Sequence, residues 1–150
     1  MKLAEALILR ADLQKRMEQL RERLTVNALT QEGEAPAEDP QLLLRELDRC
    51  TGELESLMAR INLTNAACQK EGKTLTELLA KRETLTMKIS ILRSTLDAAS
   101  RQVVRGSRSE VKILSTLDVP ELRKELDHLS ESLRLLDTSI QSANWLQDLM

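Results

Sequence analysis

Phenylalanine and tyrosine are absent from this 150-residue chain and tryptophan occurs once, so its core must be aliphatic. With 4 Gly and 3 Pro there is too little turn chemistry for an all-β domain or a collagen-like rod, and long uninterrupted helices are left. The single histidine, His128, excludes a site built from several imidazoles; beside the seam of a helix it reads as a surface residue. Its local motif, Glu125-Leu126-Asp127-His128, has no second copy, so the two-fold Glu-x-x-His pattern of di-iron bundles is missing. Neither cysteine belongs to a Cys-x-x-Cys pair. Cys50 and Cys68 fall in what reads as one helix, about 27 Å apart, too far to bridge each other. Both lie on the apolar seam and are expected to be small core residues. A Gly-rich phosphate loop and a serine elbow are also lacking. We therefore expect no catalytic residues, no metal and no cofactor, and do not expect an enzyme.

No apolar run approaches the roughly 18 residues of a membrane span, so no membrane insertion is expected. Glu5, Arg10 and Asp12 interrupt the opening segment where a signal peptide would be continuously apolar. Cytoplasm is the expected location, and Asn62-Leu63-Thr64 then matches a glycosylation acceptor by chance. The 22 basic and 24 acidic residues nearly cancel, which gives no strong nucleic-acid signal.

What is present is a mixture of 31% charged and 41% apolar residues arranged with helical period. Leu3, Ala6, Arg10, Leu13, Met17, Leu20, Leu24 and Asn27 recur at spacings of three and four, predicting a helix from about Lys2 to Thr30. A second seam runs through Leu43, Leu47, Cys50, Leu54, Leu57, Ile61, Thr64 and Cys68. Asp39-Pro40 opens it, an N-cap followed by proline in the first turn. Gly52 stands in its middle at a cost of about 1 kcal/mol against Ala, which a close helix crossing or tolerated drift would explain. After the short turn Lys70-Glu71-Gly72-Lys73, Thr74 and Glu77 form a capping box for a third helix. Asp118, Pro120 and Glu121 open a fourth. Leu44, Met58, Leu79 and Leu135 widen the seams beyond what a two-stranded coil uses, which points to bundle packing or oligomerisation.

The two halves match. Leu3 to Leu24 align without gaps on Leu75 to Leu96, and Leu43 to Asn65 on Leu122 to Asn144. Identical pairs include Glu5/Glu77, Arg10/Arg82, Arg21/Arg93, Glu46/Glu125, Asp48/Asp127 and Asn65/Asn144. Leucine matches are common between heptad helices, but these polar ones are not. The expectation is an all-α protein, an antiparallel up-down-up-down four-helix bundle or coiled coil made of two duplicated helical hairpins. It would be a single helical domain over 1–150, with hairpins at about 1–70 and 73–150.

Two polar features emerge from this arrangement. Counting from the loops, Arg10 should lie level with Arg60 to Asn65, and Arg82 level with Ser139 to Asn144. Glu5, Arg10, Asn65 and their matches Glu77, Arg82, Asn144 would then make a polar layer near the chain termini. Such a layer can fix helix register, as a buried Asn does in coiled coils. Alternatively Arg10, Arg82, Asn62, Asn65 and Asn144 could bind a small anion or ligand, with Thr64 nearby. The hairpin tips carry opposite charge: Glu32, Glu34, Glu38 and Asp39 on one, Arg101, Arg105, Arg108 and Lys112 on the other. Glu34, Glu38, Arg105, Arg108 and Ile113 are the candidate interface residues of a homo-oligomer. The segment from Arg101 to Leu117 is rich in Val, Ile and Leu, unlike a linker, and is expected to be ordered.

Several motifs resemble a short bacterial family often labelled septicolysin. They are Met1-Lys2-Leu3-Ala4-Glu5-Ala6-Leu7, Arg10-Ala11-Asp12-Leu13-Gln14, Glu38-Asp39-Pro40, Arg60-Ile61-Asn62 with Thr64-Asn65, Thr74-Leu75-Thr76-Glu77-Leu78-Leu79, and Ser107-Arg108-Ser109-Glu110-Val111-Lys112. The resemblance spans essentially the whole chain and implies an all-helical fold without an established activity. The label suggests a toxin, whereas nothing in this sequence is long and apolar enough to span a bilayer. Taken together, the residues lead to a non-enzymatic helical protein that self-associates, with a small-anion or ligand-binding module as the alternative.

Overall fold

The computed structural model describes residues 1–101 and 113–150. Its described residues form four helices: α1 (Leu3–Val26), α2 (Pro40–Ala67), α3 (Leu75–Ser100) and α4 (Val119–Leu146). Two strands of two residues, β1 (Gln69–Lys70) and β2 (Lys73–Thr74), join α2 to α3. The fold class is all-α. The chain divides into two compact units, Met1–Thr76 with Gln141–Met150, and Glu77–Ile140.

In the first unit the expected seam makes the core. Leu20, Leu43 and Cys50 are buried together, with Met17, Leu24 and Leu47 packed around them. Each buried aliphatic side chain of this size contributes about 1.5–3 kcal/mol, which replaces the aromatic packing the composition denies. Cys50 is fully buried, and Cys68 is half-buried as the C-cap of α2; both are free thiols. α1 is shorter than the heptads predict. Asn27, counted on the seam, caps the helix: its Nδ2 donates to the Arg23 carbonyl at 2.9 Å, and its Oδ1 accepts from the Glu38 amide at 2.9 Å. One side chain thus ends α1 and anchors the returning chain, satisfying groups that a helix end leaves unpaired.

Helix starts show the expected capping. Asp39 Oδ1 accepts from the Gln41 amide at 2.9 Å, and Asp118 Oδ1 from the Glu121 amide at 3.1 Å. The α2–α3 connection is a tight hairpin in which Glu71 (φ 57°) and Gly72 (φ 78°) both adopt the left-handed region. Two positive φ values match the twist of a two-residue antiparallel loop, and glycine adopts one without Cβ strain.

The second unit contains the antiparallel pairing of α3 with α4. Leu78, Ile89, Leu126, Leu136 and Ile140 are buried there. Lys88 Nζ reaches Glu125 at 3.1 Å and Arg82 reaches Asp137 at 3.8 Å.

Positions aligned between the halves carry corresponding contacts. In the first unit Arg16 Nε donates to Glu46 Oε1 at 2.9 Å. Its aligned positions are Lys88 and Glu125, the ion pair of the second unit. Lys2 faces Asp148 in an antiparallel bridge as Thr74 faces Gln69. Leu3 N donates to the Gln147 carbonyl at 2.9 Å, and Leu75 N to the Cys68 carbonyl at 3.0 Å. The meeting of the chain ends thus repeats the pattern of the α2–α3 hairpin. In that alignment Leu149 and Met150 stand for Lys70 and Glu71, Met1 stands for Lys73, and only Gly72 has no counterpart.

Two outcomes are expected. A permuted chain joining Met150 to Met1 through one glycine, and opened between Glu71 and Gly72, should fold with the parent's helical circular dichroism and melt cooperatively. Failure to fold would mean that the terminal bridge is not equivalent to the turn. The second concerns acid. Hydrogen bonding to Arg16 holds the Glu46 carboxyl below its ordinary range, and Arg23 does the same for Glu38. A depressed folded-state pKa stabilises above the unfolded pKa and is lost as pH falls through the folded value. Glu46→Gln should therefore melt below the parent at neutral pH, and the two melting curves should converge as pH falls through the folded-state value of Glu46.

Candidate functional site

The densest polar arrangement gathers where α2 ends and the chain termini meet, within the first unit. Thr64 is fully buried on the inner face of α2. Its hydroxyl donates to the Arg60 carbonyl at 2.8 Å and accepts from the Met150 amide at 3.0 Å. Arg60 Nε donates to the Met150 main-chain oxygen at 2.6 Å. Lys2 Nζ donates to the Leu146 carbonyl at 3.0 Å and pairs with Asp148 at 2.9 Å, which lowers the Asp148 carboxyl pKa. Hydrogen bonds from α1 and α2 therefore hold the C-terminal segment in place. The hydroxyl of Thr64 is committed to this task.

Beside it, α1 and α2 enclose an open groove of about 470 Å³ lined by Leu9, Leu13, Gly52, Ser56, Leu57 and Arg60. Met1 and Glu53 complete its rim. Gly52 widens it, since a Cβ built there would meet nothing within 4 Å.

The residues singled out in the sequence are dispersed. Glu5 is exposed and accepts from the Lys2 amide at 2.6 Å, capping α1. Arg10 is half-buried on α1 and is not among the residues that line the groove. Asn62 is exposed, Asn65 half-buried and Asn144 buried in the first unit, and no hydrogen bond between their side chains occurs among the described residues. Arg82 lies in the second unit, where its carboxylate partner is Asp137 rather than Asn144. Glu77 sits in the first turn of α3. At the first tip Glu34 is exposed, whereas Glu38 accepts from Arg23 Nε at 3.0 Å within its own hairpin. Ile113 is 73% exposed, and Arg105 and Arg108 lie outside the described residues.

Arg10 has a buried Nε without a hydrogen-bond partner. The alignment supplies a reason. Position 137, where Asp pairs with Arg82, corresponds to Met58, so the first hairpin has the arginine without its carboxylate. Sequence comparison of the halves could have found this, because the mismatch is visible once the contact is known. The Thr64, Arg60 and Lys2 contacts were less accessible, since each joins positions far apart in the chain.

Among the described residues no group of three His, Cys, Asp or Glu side chains could hold a metal ion. No helix of the described residues is long and apolar enough to cross a membrane. Met58→Asp should give Arg10 its missing partner and stabilise the protein by about 1 kcal/mol in urea unfolding, since Met58 is already 41% exposed. The gain should vanish when Arg10 is also replaced by Met; a gain that persists would assign it to some other cause.

None of the curated proteins compared matches this chain. A solved structure, described as a functionally unknown conserved protein from Corynebacterium diphtheriae, is similar over 100% of this chain and 99% of its own. It shares 38% sequence identity at a TM-score of 0.93. A family model matches residues 10–149, and its description is one of unknown function rather than the septicolysin label suggested by the motifs. The chain therefore belongs to this family of unknown function, DUF6847.

Proposed function

We propose that this is a non-enzymatic helical protein that self-associates through uncovered helical faces and its hairpin tips. The observation that carries the reading is the apolar flank of the helices. Ile8 and Leu9 on α1 are 55% and 40% exposed, and Leu44, Met58 and Leu63 on α2 are 42%, 41% and 60% exposed. Scattered surface leucines need no explanation, but these lie along two paired helices, and Leu9 lines the groove between them. The tips add apolar surface, with Ile113 and Leu114 both more than 70% exposed. Because Glu38 is engaged by Arg23, apolar contact rather than charge is the main contribution we assign to the tips. Corresponding contacts in the two halves support an origin by duplication, with the hairpins acting as one cytoplasmic domain.

A second reading is favoured by Arg10. Its unpartnered Nε could receive a small anion, with phosphate as the simplest probe. The anion site would be narrower than the Arg and Asn set drawn from the sequence. Phosphate should then raise the melting temperature of the parent, and the rise should be absent in Met58→Asp, where a carboxylate takes its place.

Self-association is tested by light scattering at low and high salt. An assembly larger than one chain is expected at both, because apolar contacts are not screened. Replacing Gln102 to Thr116 with a short Gly-Ser turn should give a smaller assembly of unchanged helicity. A strict monomer at both salt concentrations would end this reading.

A further inference from the structure

We infer that the surface through which two copies meet is the outer ridge of α2 formed by Asp48, Gly52, Ser56 and Arg60, crossing itself antiparallel about a two-fold axis that passes between Gly52 and Ser56. The inference rests on the proposed self-association and names its surface. These four residues are spaced by four, so they form one continuous ridge on the helix, about 18 Å from end to end. All four are exposed.

The order of the ridge is what selects a second copy as its occupant. Reversed about that axis, Asp48 comes opposite the partner copy's ridge at the Arg60 position, and Gly52 opposite the Ser56 position. Each contact occurs twice, as a two-fold interface requires. The ends carry opposite charge and the middle is small, so two backbones can approach closely while both ends pair. An unrelated helix would need its own matching order of charges, whereas this helix already has it.

The chain leaves these groups available. Among the described residues Asp48 has no ion pair, and Arg60 uses Nε for Met150 while its terminal nitrogens donate to no described residue. A Cβ on Gly52 would meet nothing within 4 Å, so no contact inside the described chain calls for glycine in the middle of a 28-residue helix. Glycine there disfavours the helix by about 1 kcal/mol against alanine, and a close crossing from outside gives it a use. Gly52, Ser56 and Arg60 also line the groove, whose apolar wall of Leu9, Leu13 and Leu57 would flank the incoming helix.

Sedimentation or light scattering of the full-length parent and three full-length variants decides. Gly52→Leu should weaken dimerisation at least tenfold while leaving the monomer as stable or more so, because the added side chain has open space within the chain. Asp48→Arg should weaken it too, by placing Arg against Arg. Asp48→Arg with Arg60→Asp should recover much of the loss, since the swapped ridge is again self-complementary. Helicity by circular dichroism checks that each variant folds. If the parent assembles and Gly52→Leu and Asp48→Arg leave its affinity unchanged, the α2 ridge is not the surface, although self-association stands. A monomeric parent overturns both.

Discussion

With no Phe or Tyr, this protein depends on a narrow aliphatic stripe buried between antiparallel helices. Two helices can cover only the sides they turn to each other. Leu20, Leu43 and Cys50 sit within that contact and are buried, whereas Leu44 and Met58, a step around the helix, are not. The other features of each hairpin answer to this limit. Ion pairs such as Arg16 with Glu46 flank the stripe, caps such as Asn27 and Asp39 finish the helices, and main-chain bridges close their ends. The lack of aromatic bulk also leaves shallow grooves where a small residue falls at the edge, as at Gly52.

The terminal bridge has a mechanical consequence. Met1, Lys2, Asp148 and Met150 are held by main-chain hydrogen bonds and by Thr64 and Arg60 on α2, so the chain ends are integrated into a folded unit. Chain ends that are tied by main-chain pairing fray less than free ones. The same pattern closes the α2–α3 connection, where Glu71 and Gly72 complete it covalently. A structural counterpart of 38% identity and near-complete coverage indicates that this arrangement of helices tolerates extensive change in sequence. Aliphatic seams permit such change, because volume-conserving exchanges among Leu, Ile and Met are well accommodated.

The polar residues show how one alignment of halves can carry different chemistry. Arg16 with Glu46 and Lys88 with Glu125 keep both charges at aligned positions. Arg10 and Arg82 keep the cation, but only Arg82 keeps the anion, because Met58 stands where Asp137 stands. An arginine in a helical hairpin can thus be a completed pair in one place and an open valence in another. That difference directs attention to the first hairpin, where the groove, Arg10 and the tied termini occur together.

Elements that rest on local physics were legible in the residues alone. Heptad spacing located the four helices, Asp39 and Asp118 marked two of their starts, and the Lys70 to Lys73 turn marked where α2 gives way to α3. The same spacing identified Cys50 as a core position, because burial tracks the period of the apolar residues. Asn27 was misread as seam, since an Asn at a heptad position and an Asn that caps a helix differ only in the neighbours that folding brings to them. The Thr64, Arg60 and Lys2 contacts also required the folded chain, because main-chain groups brought together from opposite ends leave no periodic trace in the sequence.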